Sequence, residues 1–307
     1  MSISGNEWLC GARIGVRARS ASGPRIGVRL EAGDGARLGA RYGWWWGTSR
    51  YSEIPGPLGY VSQVTDVHRP RIHVIENSAD AGLNLLAPGL GDAEVHVVRA
   101  HAGDALPAAE DLQGLIVLGG HMNAYDDEGT PYLPALRELM AAAVDRQVPT
   151  LAICLGAQLL AVAGGGQVQV DAPTGVEAGV IEVRLRPGAE EDPVLGPVVQ
   201  ACGHDLQMPS MHFDAVTELP EGAEWLGASR QYPFQAFRLG SALALQFHPE
   251  ASGAALAAWA RQLDAGDAVQ IEADWNHAAP HITKVADLLA SAFTAQVGQF
   301  ETSLNPV

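Results

Sequence analysis

The stretch Val148-Pro149-Thr150-Leu151-Ala152-Ile153-Cys154-Leu155-Gly156-Ala157-Gln158-Leu159-Leu160-Ala161-Val162-Ala163 decides how this chain is read. Val148 to Ile153 is a short apolar run of the kind that forms a buried strand, and Gly156 to Ala163 is a small-residue stretch able to start a helix. Cys154 therefore stands on a tight strand-to-helix turn. Small neighbours let the backbone bend sharply there, as in a nucleophile elbow, and expose the side chain at the carboxyl end of a sheet. The positive end of the following helix, with an imidazole nearby, favours thiolate over thiol.

The imidazole comes from Gln246-Phe247-His248-Pro249-Glu250, about ninety residues further on. His248 is the natural proton acceptor for Cys154, and Glu250 can hold its ring. If this segment is extended, alternation puts residues 248 and 250 on one side. A third piece, Leu115-Ile116-Val117-Leu118-Gly119-Gly120-His121-Met122, is an apolar strand that ends in a glycine pair. Glycines at a strand's mouth leave backbone N–H groups free to approach an oxyanion, and the nitrogens of Gly120 and Leu155 are the expected donors.

The order of elements around these pieces is regular from residue 71 onward. Strands at 72–75, 95–98 and 115–118 alternate with helical links in the βαβ manner, and the first link falls between 75 and 95. Tyr132 to Arg146 carries Leu133, Leu136, Leu139, Met140 and Ala143 on one face, a helix leading into the elbow strand. Strands follow at 180–185, 223–226, 234–238 and 242–247, then helices at 254–263 and 283–296. Cys154 and the glycine pair at carboxyl ends of adjacent strands obey the rule for sites in open α/β sheets.

At these residues the chain resembles the class I glutamine amidotransferases, which carry a Cys-His-Glu triad on a flavodoxin-like α/β domain. The likeness runs through Gly119-Gly120, the elbow Cys154 to Leu160, Met211-His212-Phe213-Asp214 and Gln246 to Glu250. It spans roughly residues 71 to 252 and is nearest to stand-alone members similar to the amidotransferase half of GMP synthase. The resemblance implies a three-layer fold with a mostly parallel central sheet and catalysis by Cys154, His248 and Glu250 without a cofactor. It further implies that the thiolate attacks the side-chain amide of glutamine, ammonia leaves, and water frees glutamate from a γ-glutamyl thioester. Gly119, Gln158 and the stretch Met211, His212, Phe213 then match positions that hold the substrate. Two departures stand out: Ala152 replaces a frequent glycine two residues before the cysteine, and Met211 and Phe213 put larger apolar groups on the pocket wall.

Three functions follow from this resemblance. One is a glutaminase that passes ammonia to a separate synthetase subunit. Another is a free-standing hydrolase of γ-glutamyl amides. The third is a non-catalytic binding protein on the same fold, which an intact Cys154, His248 and Glu250 argue against.

Other candidate residues read more plainly. Cys10 and Cys202 sit on no recognisable elbow and read as small buried hydrophobes. His212 reads as a structural or pocket-lining residue. His277 and His281 are spaced as metal ligands could be, but Pro280 interrupts the helical face they would need, so they read as loop histidines with no metal role. Gly164-Gly165-Gly166 is followed by no lysine, and it reads as a helix stop rather than a phosphate loop.

Composition bounds the rest. In 307 residues, 47% hydrophobic, there is ample material for a buried core. A formal net charge of −16, with Lys284 the sole lysine, argues against nucleic-acid binding. Three cysteines do not make a disulfide framework, and no apolar run is long enough to span a bilayer, so a soluble, cytoplasmic protein is expected. Residues 1–70 carry nine arginines against five acids, whereas residues 71–307 carry thirty acids against ten basic residues. That first segment, with its Trp44-Trp45-Trp46 run, reads as a poorly ordered extension or a basic arm. The resemblance assigns residues 71–307 to the amidotransferase domain with C-terminal helices.

Overall fold

The computed structural model describes residues 69–304, together with the backbone of two strands nearer the N-terminus. The chain divides into two units, residues 1–63 and 64–307. In the first, β1 (Asn6–Leu9) pairs antiparallel with β2 (Ala12–Gly15). The expectation of a poorly ordered extension over residues 1–70 otherwise lies, up to residue 68, outside the described residues, as does Cys10.

The second unit is built on a nine-stranded sheet. Its strands in chain order are β3 (Arg71–Glu76), β4 (Glu94–Arg99), β5 (Gly114–Val117), β6 (Thr150–Ile153), β8 (Glu177–Leu185), β9 (Asp205–His212), β11 (Glu224–Ser229), β12 (Ala236–Leu239) and β13 (Ala242–Leu245). Across the sheet they lie in the order β4-β3-β5-β6-β13-β12-β11-β8-β9. Pairing is parallel from β4 to β13 and antiparallel from β13 to β9. A small antiparallel pair, β7 (Gln167–Gln169) with β10 (Ala215–Glu218), stands apart. The expected α/β class and flavodoxin-like arrangement are both present, and the parallel half carries the site.

Alternation along the strands sorts the core into two layers. Ile72, Val74, Ile116, Leu118, Leu151, Ile153, Leu243 and Leu245 share one cluster with Val285, Leu289, Phe293 and Val297 of the long helix α5 (Ala268–Leu304). Leu115, Val117, Ala152, Ala242 and Ala244 point to the other face, under α1 (Leu133–Asp145) and α2 (Leu155–Ala163). Small residues on that second face let α2 come very close. A Cβ added at Gly156 would lie 2.3 Å from the carbonyl oxygen of Val117, so only glycine fits where the helix crosses β5.

Three elements depart from the sequence reading. Two 3-10 turns, Asn84–Leu86 and Pro88–Leu90, replace the helical link expected between β3 and β4. The last helix runs over 37 residues rather than 283–296, with Pro280 inside it, so His277 and His281 lie on a helix and not in a loop. An internal proline costs about 3 kcal/mol. Packing on both sides of it outweighs that cost, with Ile271 and Ala278 buried before Pro280, and Ile282 and Val285 after it. Strand β9 was not anticipated because it contains Pro209. It is an edge strand, and the Pro209 carbonyl accepts from His248 N at 2.8 Å instead of pairing with β8. In an antiparallel pair a residue's N–H and C=O face the same way, so the missing N–H of Pro209 costs no ladder bond. The short helix α3 (Leu195–Cys202) was likewise unanticipated.

The close crossing of α2 over β5 gives a stability test. Gly156→Ala forces a methyl against backbone that cannot swing aside, and it should destabilise the domain by about 2 kcal/mol or more. Chemical denaturation with unchanged m-value would register the loss.

Candidate active site

Parallel pairing of β6 with β13 sets Ile153 opposite Leu245, so the residues that follow each strand emerge side by side. Cys154 N donates to Leu245 O at 2.8 Å, and Gln158 N donates to Cys154 O at 3.0 Å as α2 begins. Between these two bonds Cys154 adopts φ 51° and ψ −107°, a conformation that L-residues rarely take. This is the sharp turn expected at the strand–helix junction, and strain of this kind typically costs about 1–3 kcal/mol.

After β13 the chain does not stay extended. Residues 248–251 form a turn, closed by Ala251 N donating to His248 O at 3.1 Å. His248 Nδ1 nevertheless meets Glu250 Oε1 at 2.6 Å, through the turn rather than by strand alternation. The expected pairing is present for a different geometric reason. Trp275 Nε1 donates to Ala251 O at 3.0 Å, and its ring lies against Gly253 at the start of α4 (Gly253–Leu263), so α5 buttresses the turn.

Glu250 is fully buried and His248 nearly so. Burial alone would disfavour the imidazolium. The charges on Cys154 and Glu250, with hydrogen bonds to both, prevail and raise His248 well above its usual 6.5. With Nδ1 committed to Glu250, Nε2 is the nitrogen left to face Cys154. The Cys154 Sγ also approaches Met211 O at 3.9 Å.

Both residues open into a cleft of about 280 Å³, lined also by Gly120, Gln158, Met211, His212 and Phe213. Gly119 lies directly beneath the pair, since a Cβ there would stand 3.1 Å from His248 Cε1 and 3.6 Å from Cys154 Cβ. Leu155 is the first residue of α2, adjoining Cys154. The loop of Gly119 and Gly120 is held from behind by Asn77, whose Nδ2 donates to Leu118 O at 2.8 Å while Tyr132 OH donates to Asn77 Oδ1 at 3.2 Å. Burial pushes the Tyr132 hydroxyl up to about 12.

His212 lines the cleft, but both its ring nitrogens are engaged elsewhere. Nδ1 meets Asp214 O at 2.9 Å and Nε2 meets Glu177 Oε2 at 3.1 Å. Glu177 also accepts from Gln235 Nε2 and Ser229 Oγ, each at 2.6 Å. Gln158, buried, donates to Asp214 O at 3.1 Å and Gln246 Oε1 at 3.3 Å, so it ties the elbow helix to two neighbouring segments.

Asn77, Asp80, Glu177 and Trp259 escaped the sequence reading. Asn77 and Asp80 follow a parallel strand at its carboxyl end, which is a usable signal for a site. Trp259 reads as one more apolar residue of a helix, yet its ring centroid lies 4.9 Å from that of His248. Among the described residues no group of three or more His, Cys, Asp or Glu is arranged to hold a metal ion, and no helix is long and apolar enough to cross a membrane.

A sequence profile of the family described as glutamine amidotransferase class-I matches residues 77–258, more than half of the chain. This chain belongs to that family. It is 32% identical over 197 residues to the GMP synthase (glutamine-hydrolyzing) of Bordetella avium, a stretch covering 63% of this chain and 33% of the relative. The corresponding protein of Leifsonia xyli is 34% identical over 194 residues, covering 62% of this chain and 35% of that one. The chain thus spans about a third of the length of these curated relatives. Among solved structures, a glutamine amidotransferase from Methylobacillus flagellatus aligns with TM-score 0.66 and 26% identity, over 74% of this chain and 95% of its own. One from Thermotoga maritima aligns with TM-score 0.65 and 23% identity, over 75% and 99%.

Two measurements probe this geometry. Because the charge on Cys154 helps raise His248, the ring in Cys154→Ala should titrate at lower pH than in the parent, as followed by NMR of its ring protons across a pH series. Identical curves would mean that Cys154 exerts no field on the imidazole. Backbone strain at residue 154 should make Cys154→Gly at least as stable as Cys154→Ala, whereas glycine at an ordinary site loses about 1 kcal/mol relative to alanine.

Proposed function

We propose that the chain hydrolyses the side-chain amide of glutamine through a covalent thioester on Cys154. The convergence of Cys154 and His248 in one cleft, with Glu250 buried behind the imidazole, carries this reading. His248 Nε2 takes the thiol proton, sulfur attacks the amide carbon, and the carbonyl oxygen becomes an oxyanion. The backbone N–H groups of Gly120 and Leu155 are assigned to stabilise it. The tetrahedral species collapses as His248 returns its proton to the departing nitrogen, releasing ammonia. Water, deprotonated by His248, then attacks the thioester and frees glutamate and the thiol. Glu250 keeps the imidazole oriented and stabilises its charged form. Gly119, Gln158, Met211, His212 and Phe213 are assigned to the substrate pocket, where the backbone of 211–213 and the fixed Gln158 amide shape the wall.

Likeness to proteins named glutamine-hydrolyzing GMP synthases supports delivery of ammonia to a synthetase partner. A free-standing γ-glutamyl hydrolase is the second reading. It is favoured by one observation, the larger apolar wall that Met211 and Phe213 present to the cleft.

Activity measurements separate the assigned roles. Cys154→Ala and His248→Ala should each lose about a thousandfold or more in ammonia release from glutamine. Glu250→Gln keeps an oxygen acceptor for Nδ1–H and should retain measurable turnover. A Glu250→Gln variant as inactive as His248→Ala would remove the purely orienting role, and Cys154→Ala retaining more than about one per cent of parental activity would remove the nucleophile.

A further inference from the structure

A second carboxylate–imidazole pair stands on the outer wall of the same cleft. His121 Nε2 lies 2.9 Å from Asp80 Oδ1 and 3.0 Å from Oδ2. Asp80 also accepts from Trp259 Nε1 at 3.1 Å and from the Ser78 hydroxyl. The carboxylate therefore joins three pieces of the wall. These are the loop after β3, the loop that continues from Gly119 and Gly120, and helix α4, whose Trp259 packs on His248.

An ionised carboxylate only accepts hydrogen bonds, so His121 carries its proton on Nε2. That leaves Nδ1 a bare acceptor, and no partner meets it among the described residues. His121 lines the cleft beside Gly120 and Met122. Asp171 and Asp214 line the same cleft, and no arginine or lysine does. Apart from His248 at the reacting centre, the cleft offers acceptors and no cation, which matches a donor-rich, positively charged group on the ligand.

We propose that the Asp80–His121 pair recognises the α-ammonium group of the substrate, with His121 Nδ1 accepting one of its N–H bonds and Asp80 fixing the tautomer that makes this possible. This assignment rests on the glutamine reading above. It makes the pair a specificity element distinct from the reacting groups, and it predicts selection for γ-glutamyl compounds with a free α-amine.

The tautomer argument supplies the test. In Asp80→Asn, Trp259 Nε1–H takes the amide oxygen in the Oδ2 place, which leaves the NH₂ in the Oδ1 place, 2.9 Å from His121 Nε2 and able to donate to it, so the proton is no longer locked on Nε2 and the tautomer with the proton on Nδ1 becomes available. An N–H then opposes the ammonium. His121→Leu removes the acceptor altogether. In the full chain, the rate of covalent labelling of Cys154 is measured with three reagents: a chloroketone analogue of glutamine, the same chloroketone lacking the α-amino group, and iodoacetamide.

Both variants should react about tenfold more slowly with the glutamine analogue, the loss expected for one hydrogen bond to a charged group. With the other two reagents they should stay within about twofold of the parent. Equal slowing with all three reagents would show that the pair acts only through the shape of the cleft and would overturn the assignment, as would no slowing with any. A parent chain that iodoacetamide alkylates at Cys154 but the glutamine analogue does not would overturn the glutamine reading itself, and this assignment with it.

Discussion

The pairing of Ile153 with Leu245 is the constraint on which the site depends. Once β6 and β13 lie parallel and in this register, Leu245 O is placed to take the Cys154 N–H, and the turn at Cys154 is pinned at the moment α2 begins. Gly156 then lets α2 settle against the Val117 carbonyl, which holds the helix from the other side. The same register delivers His248 three residues after β13, next to the thiol. A slip of one residue would turn Leu243 and Leu245 onto the opposite face and carry the histidine away from the cysteine. Burial of those leucines against α5 thus fixes the chemistry as firmly as any contact in the cleft.

Much of this was legible in the chain. β5 and β6 are short, apolar but for Thr150, and lead into Gly119-Gly120 and Cys154, so periodicity, length and position agree. The candidate site residues were legible where chemistry marks the residue type, as with Cys154, His248 and Glu250, which the fold brings together. Tertiary packing hid the rest. Pro280 and Pro209 signal interruption locally, yet α5 runs through the first, and β9 tolerates the second because its free edge needs no donor there. Trp259 is apolar on a helix whether it covers a core or an imidazole. The contact between His248 and Glu250 was anticipated by alternation but arises from a turn that Trp275, 25 residues after Glu250 in the chain, helps to hold.

Behind the cleft a polar layer does the work that apolar packing cannot. Asn77 and Tyr132 fix the Gly119–Gly120 loop, and Gln158 bridges Asp214 and Gln246. Glu177 gathers His212, Gln235 and Ser229. Buried groups of this kind are costly when unpaired and directional when paired, so each such network specifies one arrangement of its loops. A wall made only of leucines would bury as much area and leave the backbone near Cys154 freer to shift.

Three histidines, each paired with a carboxylate, therefore line one cleft, and their surroundings separate their parts. His212 and Glu177 are 1% and 5% exposed, and His212 has both ring nitrogens engaged, so it has no vacant nitrogen to take a proton from a ligand and serves as scaffold. His248 and Glu250 are equally dry, but only Nδ1 is held by the acid, which leaves the other nitrogen for the proton exchange with Cys154 that we propose. His121 and Asp80 are 35% and 40% exposed, where solvent screens the carboxylate's field on the neutral imidazole. Such a pair suits a fixed tautomer at the mouth better than proton transfer at the reacting centre. Burial and the number of uncommitted nitrogens, more than residue type, set what each imidazole can do.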